Sequence, residues 1–373
     1  MQRRTVLGVG LLGISSIAGC GEFVPVGADS PELPDIPTVE DPPDAVYVPT
    51  HREAMRQLST VKSGDFAVTP MVTYPHPFWI VTGQQTEPVI PEDGRGVHLM
   101  ATIWDPKTDH VLPVDSGAEM RIFLDNELVD QRAPWPMISQ TMGFHIGDNI
   151  PLPDDGTYHV ELTVNPITSR KTGEFVGRFT EATTLNFEFA FDEAFREEVI
   201  QGVKYVDEEL WGERGALDPM DHHHVQAGTN DAAQDSQHVH DSGDHMPFSA
   251  LAPGDDYPGG SLGEPTSGDA TIVVRYLENS APTEASGYLF ISPRTPYNRV
   301  PLADMALSVE GAIDGELTQT FDDTLGLHYG ISGSLEEGDE LTIQFESPPQ
   351  VARHQGYETA FLEMNPVSIR YQS

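Results

Sequence analysis

The stretch Thr-Met-Gly-Phe-His-Ile-Gly at residues 141–147 recurs as Thr-Leu-Gly-Leu-His-Tyr-Gly at residues 324–330. Each copy is followed by a turn rich in Pro or Glu, an alternating strand, a segment that contains proline, and a last strand. Duplicated similarity of this kind is a signature of related structural units. The repeat therefore predicts two related domains, each presenting one histidine, His145 or His328, beside glycines.

The sequence around the repeat predicts short strands separated by turn residues. Alternating segments predict strands at residues 66–72, 97–103, 120–124, 158–164 and 184–191, and again at 271–276, 306–310, 341–345 and 367–371. Many short strands with turn signals are typical of a β-sandwich. A capping pattern at Thr50 and Glu53, and apolar residues at helical spacing from Phe195 to Leu210, predict short helices flanking the first domain.

Composition divides the chain further. Residues 21–49 form a tether rich in proline and acidic residues, 50–212 the first sandwich with its flanking helices, and 266–373 the second. Residues 213–265 are rich in His and Asp, and periodicity is lost there, which is typical of a disordered linker. We therefore expect an all-β protein with two β-sandwich domains joined by that linker.

The N-terminus predicts export. Arg3 and Arg4 precede an apolar run, Val6–Ala18, whose helical length of about 20 Å is too short to cross a bilayer core of about 30 Å. Residues 1–20 thus resemble a twin-arginine signal peptide with a lipobox that ends at Cys20, the chain's single cysteine. We expect a lipid anchor at Cys20 on the outer face of the cytoplasmic membrane, although an incidental cysteine is the alternative.

Charge limits the partners. The chain has 59 acidic and 20 basic residues, a formal net charge of −39. Because no basic patch is present to neutralise phosphates, nucleic-acid binding is not expected. Acid spread over the whole chain resembles the proteins of extreme halophiles and does not by itself indicate a functional site.

Histidine and methionine carry the metal chemistry. His98, Met137, Met142 and His145 are candidate ligands, a combination that favours copper and also suits iron, with zinc as a further candidate. The other interpretation is that the methionines pack in the core and the histidines are incidental.

The stretch 136–150 resembles the Pro-Met…Gly-Pro-His-Tyr-Gly-x-Asn signature of the periplasmic ferrous-iron-transport proteins. Upstream, Val97–Ala101 is similar to that family's His-Leu-Glu segment, with Met100 where the family has Glu. The resemblance covers residues 66–191. It implies immunoglobulin-like sandwiches, a His/Met metal site, dimers, and a role beside a membrane iron permease or another transporter.

The departures from the family complement each other. The family's third element is Arg-His-Thr-Asp. Residues 166–173 of the first domain lack its histidine, whereas the second domain keeps it as Arg353-His354. In that domain Thr320 takes the place of Met137, so its site is degenerate. The resemblance implies a homodimer, an intrachain pseudo-dimer or a degenerate scaffold domain, with these site residues: His98, Met137, Met142, His145, His328 and His354.

Six further histidines lie in the linker: His222, His223, His224, His238, His240 and His245. With their interleaved aspartates they resemble metal-scavenging tracts, and a polar halophilic linker is the equal alternative.

From the sequence we expect an exported, lipid-anchored, non-catalytic protein that binds iron or copper and supplies a membrane transporter. One alternative is a cell-surface scaffold or adhesion lipoprotein without a metal function. Another is a small redox enzyme that oxidises ferrous iron or copper. The sequence has no nucleophile elbow, phosphate loop or His-Glu-x-x-His motif, so hydrolase and nucleotide chemistry have no support.

Overall fold

The computed structural model describes residues 36–91, 96–113, 117–220, 246–278, 282 and 287–372. The predicted signal peptide with Cys20, most of the tether and the six linker histidines lie outside the described residues. Within the described part, no helix is long and apolar enough to span a membrane.

The described residues of the N-terminal half form fifteen strands: β1 (His51–Arg52), β2 (Arg56–Gln57), β3 (Val61–Ser63), β4 (Phe66–Thr73), β5 (Phe78–Thr82), β6 (Gln85–Val89), β7 (Gly96–Trp104), β8 (Glu119–Leu124), β9 (Glu127–Arg132), β10 (Trp135–Ser139), β11 (Gly143–Pro151), β12 (Gly156–Val164), β13 (Arg170–Thr172), β14 (Thr183–Phe191) and β15 (Lys204–Tyr205). One α-helix, α1 (Glu193–Gln201), follows β14 and is capped by the Asp192 carboxylate, which accepts the Phe195 N–H.

In the C-terminal half, ten strands lie within the described ranges: β16 (Gly260–Gly263), β17 (Thr266–Ser267), β18 (Ala270–Leu277), β19 (Tyr288–Arg294), β20 (Ala306–Gly311), β21 (Gly315–Asp322), β22 (Gly326–Ser332), β23 (Glu340–Ser347), β24 (Ala352–Arg353) and β25 (Val367–Arg370). Short 3-10 helices lie at Gly173–Phe175, Glu208–Leu210 and Gly254–Asp256. The predicted all-β class is confirmed, and all nine predicted strands are present.

The two halves build sheets with matching strand orders. In the N-terminal half, strands β4-β7-β11-β10 are neighbours in one sheet, and strands β14-β12-β8-β9 form another. In the C-terminal half, the order β18-β19-β22-β21-β20-β23-β25 runs without a break, because β21 pairs with β22 at one end and with β20 at the other. Alternate residues of these strands share one hydrophobic core.

Each half adds a strand to the sheet of the other. β24 pairs in parallel with β10, with Ala352 opposite Met137. Reciprocally, β13 pairs in parallel with β21, with Arg170 opposite Thr320. Parallel pairs like these need partners that are distant in sequence, so this exchange fastens the two halves together.

The two repeat motifs occupy the same place in their sheets, and their first glycines have a conformational reason. Gly143 begins β11 with φ +71, and Gly326 begins β22 with φ +65. Side chains are disfavoured at such angles. A Cβ on Gly143 would also lie 2.3 Å from Ser249 Oγ, so this tight turn requires glycine.

One predicted flanking helix is wrong. Where Thr50 and Glu53 predicted a helix, the chain forms β1, β2 and β3, because β2 and β3 hydrogen-bond to β4 and β1 pairs with β15. Pairing at a sheet edge outweighs the weak preference of a short isolated helix. The second predicted helix exists as α1 but ends at Gln201, well before Leu210.

The predicted linker is also too wide. The Met220 N–H donates to the Thr141 carbonyl, the Phe144 N–H donates to Ser249 Oγ, and β16 pairs with β18. Residues 213–220 and 246–265 therefore belong to the folded part. Averaged composition hid the apolar anchors Met246 and Leu251, which are buried.

Candidate metal centre

The candidate centre lies on the face of β7 that points away from the hydrophobic core. Val97, Leu99 and Ala101 pack in the core, so His98 and Met100 project from the opposite face. That face is covered as well, and all nine residues of β7 are buried. A sheet buried on both faces can thus hold polar ligands away from bulk water.

Three histidines of the N-terminal half are held by a hydrogen bond at Nδ1, and each directs Nε2 toward the cluster. The Nδ1 atoms lie 3.0 Å from Asn149 Oδ1 for His98, 3.1 Å from the Gly143 carbonyl for His145, and 3.1 Å from the Pro77 carbonyl for His76. Each acceptor takes an N–H, which leaves a lone pair on Nε2. Fixing the tautomer in this way is how proteins orient imidazole ligands toward a metal.

Asn149 joins two of these rings. It lies opposite His98 across β7 and β11, and its Oδ1 also accepts the His76 backbone N–H at 3.3 Å. Its Nδ2 donates to the His76 carbonyl at 2.9 Å. One amide therefore sets the separation of His98 and His76, whose ring centroids are 4.3 Å apart.

His354 reaches the cluster from the C-terminal half. Its Nε2 lies 3.1 Å from His145 Nε2, and its backbone N–H donates to the Ile138 carbonyl. Two nitrogens bound tetrahedrally to one ion at about 2.05 Å would be about 3.3 Å apart. One ring nitrogen from each of His98, His145 and His354 lies within 4.8 Å of the other two.

The loop that carries His354 is held by a buried cation. The Arg353 guanidinium donates to the carbonyls of Pro349, Tyr357 and Ala360. Burial lowers the pKa of Arg353 to about 9, so the group remains charged at neutral pH. These contacts fix where His354 points.

Met137 lies beside the same cluster, across the space above Gly147. Met137 lies opposite His145 in the β10–β11 hairpin. A Cβ built on Gly147 would lie 3.2 Å from both His98 Nε2 and Met137 Sδ. The missing side chain at Gly147 therefore leaves space bordered by an imidazole nitrogen and a thioether, a donor set that fits a transition metal.

Met142 packs in a separate group of methionines. The buried members are Met71, Met100, Met142 and Met246, with Met55 and Met220 against them. Met137 instead packs with Phe78 and Ala352. Of the two candidate methionines, Met137 therefore lies beside His98. Met142 packs among the other methionines instead.

A second group adjoins the first. Glu53 Oε1 lies 3.6 Å from His76 Nε2 and 4.0 Å from His354 Nδ1. A cavity of about 30 Å³ borders Glu53 and His354. Neither Glu53 nor His76 was predicted, since Glu53 matched a helix cap. The Pro75-His76-Pro77 segment, between β4 and β5, is the signal in the sequence that could have marked His76.

Burial keeps the His145 and His76 imidazoles neutral at neutral pH. Burial, reinforced by the neighbouring His354, lowers the pKa of His145 to about 3. Burial likewise lowers the pKa of His76 to about 4, against the opposing effect of Glu53. Burial alone would raise the pKa of Glu53, but His76 and His354 hold it well below its usual value. At neutral pH, Glu53 is an anion and His145 and His76 need not lose a proton to bind a metal ion.

The structure places His328 outside both groups. Its Nδ1 lies 3.0 Å from the Gly326 carbonyl and its Nε2 lies 3.1 Å from the Tyr288 hydroxyl, so both ring nitrogens have partners. The register of β19, β21 and β22 puts Tyr288, Phe290 and Thr320 where the N-terminal half has His98, Met100 and Met137. Hydroxyl and phenyl groups there replace the imidazole and the thioethers.

Comparison with known proteins gives limited matches. Residues 255–370 match a family model described as a domain of unknown function (DUF7350). No curated protein matches the chain. Similar solved structures include FetP of uropathogenic Escherichia coli strain F11, as a copper-bound variant and as isolated after expression in the periplasm of E. coli. Each shares 18% identity and covers 37% of this chain and 97% or 96% of the FetP chain, with a TM-score of 0.27.

Proposed function

We propose that this protein captures iron, or copper, outside the cytoplasmic membrane and supplies it to a membrane iron permease or a similar transporter, without catalysing a reaction. In this proposal the twin-arginine signal exports the chain, and a lipid on Cys20 holds it at the outer face of the membrane. The metal ion is cargo.

One observation carries the proposal. His98 and His145 each present an Nε2 lone pair because their Nδ1–H groups are fixed by acceptors, and His354 meets them from the other half. His98 Nε2 is buried, and no residue in the described part of the chain is its hydrogen-bond partner. An unpaired buried polar atom costs about 1–3 kcal/mol, and a bound ion is one explanation for it.

The ligand set favours borderline and soft ions. Three imidazoles with the Met137 thioether suit copper or ferrous iron, whereas calcium and magnesium prefer oxygen ligands. When such an ion is bound, His98, His145, His354 and Met137 would hold it, and the buried face would keep bulk water away.

We further infer a tandem origin for the two halves. Matching strand orders and the reciprocal exchange of β13 and β24 support it. On this reading the chain is a pseudo-dimer that keeps one ligand set and has replaced the other with Tyr288 and Thr320.

The test is calorimetric titration of Cu(II), and of Fe(II) under anaerobic conditions, into full-length protein whose six histidines of the 221–245 segment are replaced by asparagine. We expect His145→Ala to abolish tight binding and His354→Ala to weaken it at least tenfold. His328→Gln is the matched control, because it removes a buried histidine at the corresponding position of the other hairpin. Unchanged binding in His145→Ala would refute the proposal.

A further inference from the structure

His354 has two ring nitrogens that face different ligand groups. Its Nε2 lies 3.1 Å from His145 Nε2, on the side of His98. Its Nδ1 lies 4.0 Å from Glu53 Oε1, on the side of His76. Two separate sets of ligand atoms, each within 4.8 Å, therefore share this one imidazole.

From this arrangement we propose a second metal site, made by Glu53, His76 and His354, in which the His354 imidazole bridges two ions. The inference rests on the proposed function, since the first ion is the cargo held by His98, His145 and Met137. The second site supplies one carboxylate and two imidazole nitrogens.

The second site has its own unpaired polar atoms. Among the described residues, His76 Nε2 and His354 Nδ1 are buried without a hydrogen-bond partner. His76 Nδ1 already donates to the Pro77 carbonyl, so Nε2 carries the lone pair, and it lies 3.6 Å from the Glu53 carboxylate. Two imidazole nitrogens and one anion thus converge at one place.

A small cavity beside Glu53 and His354 gives an ion access to this position. The adjoining cavity of about 30 Å³ is lined by Glu53, His354, His51 and Ser139, among others. A volume of this size holds about one water or one small ion. Because Glu53 is the most exposed of the three ligands, with 18% of its side chain accessible, the second site is the outer one.

The two sites differ in ligand chemistry. The outer site has a carboxylate oxygen and no thioether, so it takes a borderline divalent ion such as Fe(II), Zn(II) or Cu(II). The inner site adds the Met137 sulfur and suits a softer ion. Binding of both ions leaves no proton on the His354 ring, and its remaining N–H proton passes to the solvent buffer as the second ion binds.

The probe is Cu(II), added to the full-length protein in which the six histidines of the 221–245 segment are asparagine. We expect two tight equivalents, with a copper electron paramagnetic resonance signal that grows over the first equivalent and falls over the second. Two Cu(II) ions joined by one imidazolate couple antiferromagnetically, and uncoupled ions do not.

His76→Ala and Glu53→Gln should each bind one equivalent and keep the mononuclear signal. Glu53→Gln is isosteric and guards against misfolding of His76→Ala. His328→Gln is the matched control: it removes a buried histidine outside both groups, whose ring nitrogens pair with the Gly326 carbonyl and the Tyr288 hydroxyl, so two equivalents should remain.

The outcomes separate the two proposals. Binding of a single equivalent by the unsubstituted site, lost in His145→Ala, would overturn the bridge and leave the proposed function standing. Two equivalents with an undiminished signal would also overturn the bridge. Absence of any tight binding would overturn both.

Discussion

Gly147→Ala places a methyl group inside the candidate centre. The new Cβ would lie 3.1 Å from Met100 Cγ and 3.2 Å from both His98 Nε2 and Met137 Sδ. Optimal carbon contacts are about 3.5–4.0 Å, so each neighbour must retreat by several tenths of an ångström. Metal sites tolerate ligand shifts of only about 0.2 Å.

We therefore expect Gly147→Ala to weaken Cu(II) or Fe(II) binding by about 100-fold or more, equal to about 2.8 kcal/mol. This estimate takes the upper end of the 10–100-fold loss seen when a partner that orients a ligand is removed, because two ligands move here. Overpacking should cost the metal-free fold about 1–3 kcal/mol, partly offset by about 0.4–1 kcal/mol from the loss of a glycine.

The assay is competition for metal against a chelator of known affinity, with thermal unfolding of the metal-free protein measured in parallel. Gly260→Ala is the matched control, because a Cβ there would meet only Tyr371, at 3.9 Å. Unchanged affinity in Gly147→Ala, with a normally folded protein, would show that His98 and Met137 do not face a common ion.

Three further predictions concern tautomer control, pH and the anchor. Asn149→Ala removes the acceptor of the His98 N–H and should weaken metal binding about 10–100-fold, whereas Asn165→Ala, which removes an exposed amide bonded to the Gly117 carbonyl, should leave it unchanged in the same titration. Burial lowers the pKa of His328 to about 4, so on acidification the unfolded chain takes up a proton at this residue first, near pH 6.5. The contribution of His328 to the free energy of unfolding is therefore present above that pH, and about 3 kcal/mol of it is lost as the pH falls toward 4. Denaturant unfolding at constant ionic strength should show a loss about 3 kcal/mol larger in the native protein than in His328→Gln, and parallel curves would contradict it. Cys20→Ser should release the protein from the membrane fraction on cell fractionation, and a variant that stays bound would remove the argument for a lipid anchor.

The sequence predicted the strands well and the site in part. Alternation of apolar residues placed β4, β7 and β12 because one face of each strand packs in the core. The contact between His145 and His354 was predictable only because each half lacks a part of the family motif that the other half keeps.

Other features depend on tertiary contacts that no local pattern encodes. Glu53 has a local sequence typical of a helix cap, and the antiparallel pairing of β2 with β4, with Arg56 opposite Val72, brings it beside His76. His328 has the same local sequence as His145. Its different surroundings come from Tyr288, which lies 40 residues away along the chain.

The exchange of β13 and β24 has a consequence for how the centre responds to dilution. A site whose ligands come from two separate molecules falls apart as the molecules become sparse. Here His354 and His145 belong to one polypeptide, so their encounter is unimolecular, with an effective concentration set by the chain. We expect its metal affinity to be the same whether the protein is concentrated or dilute.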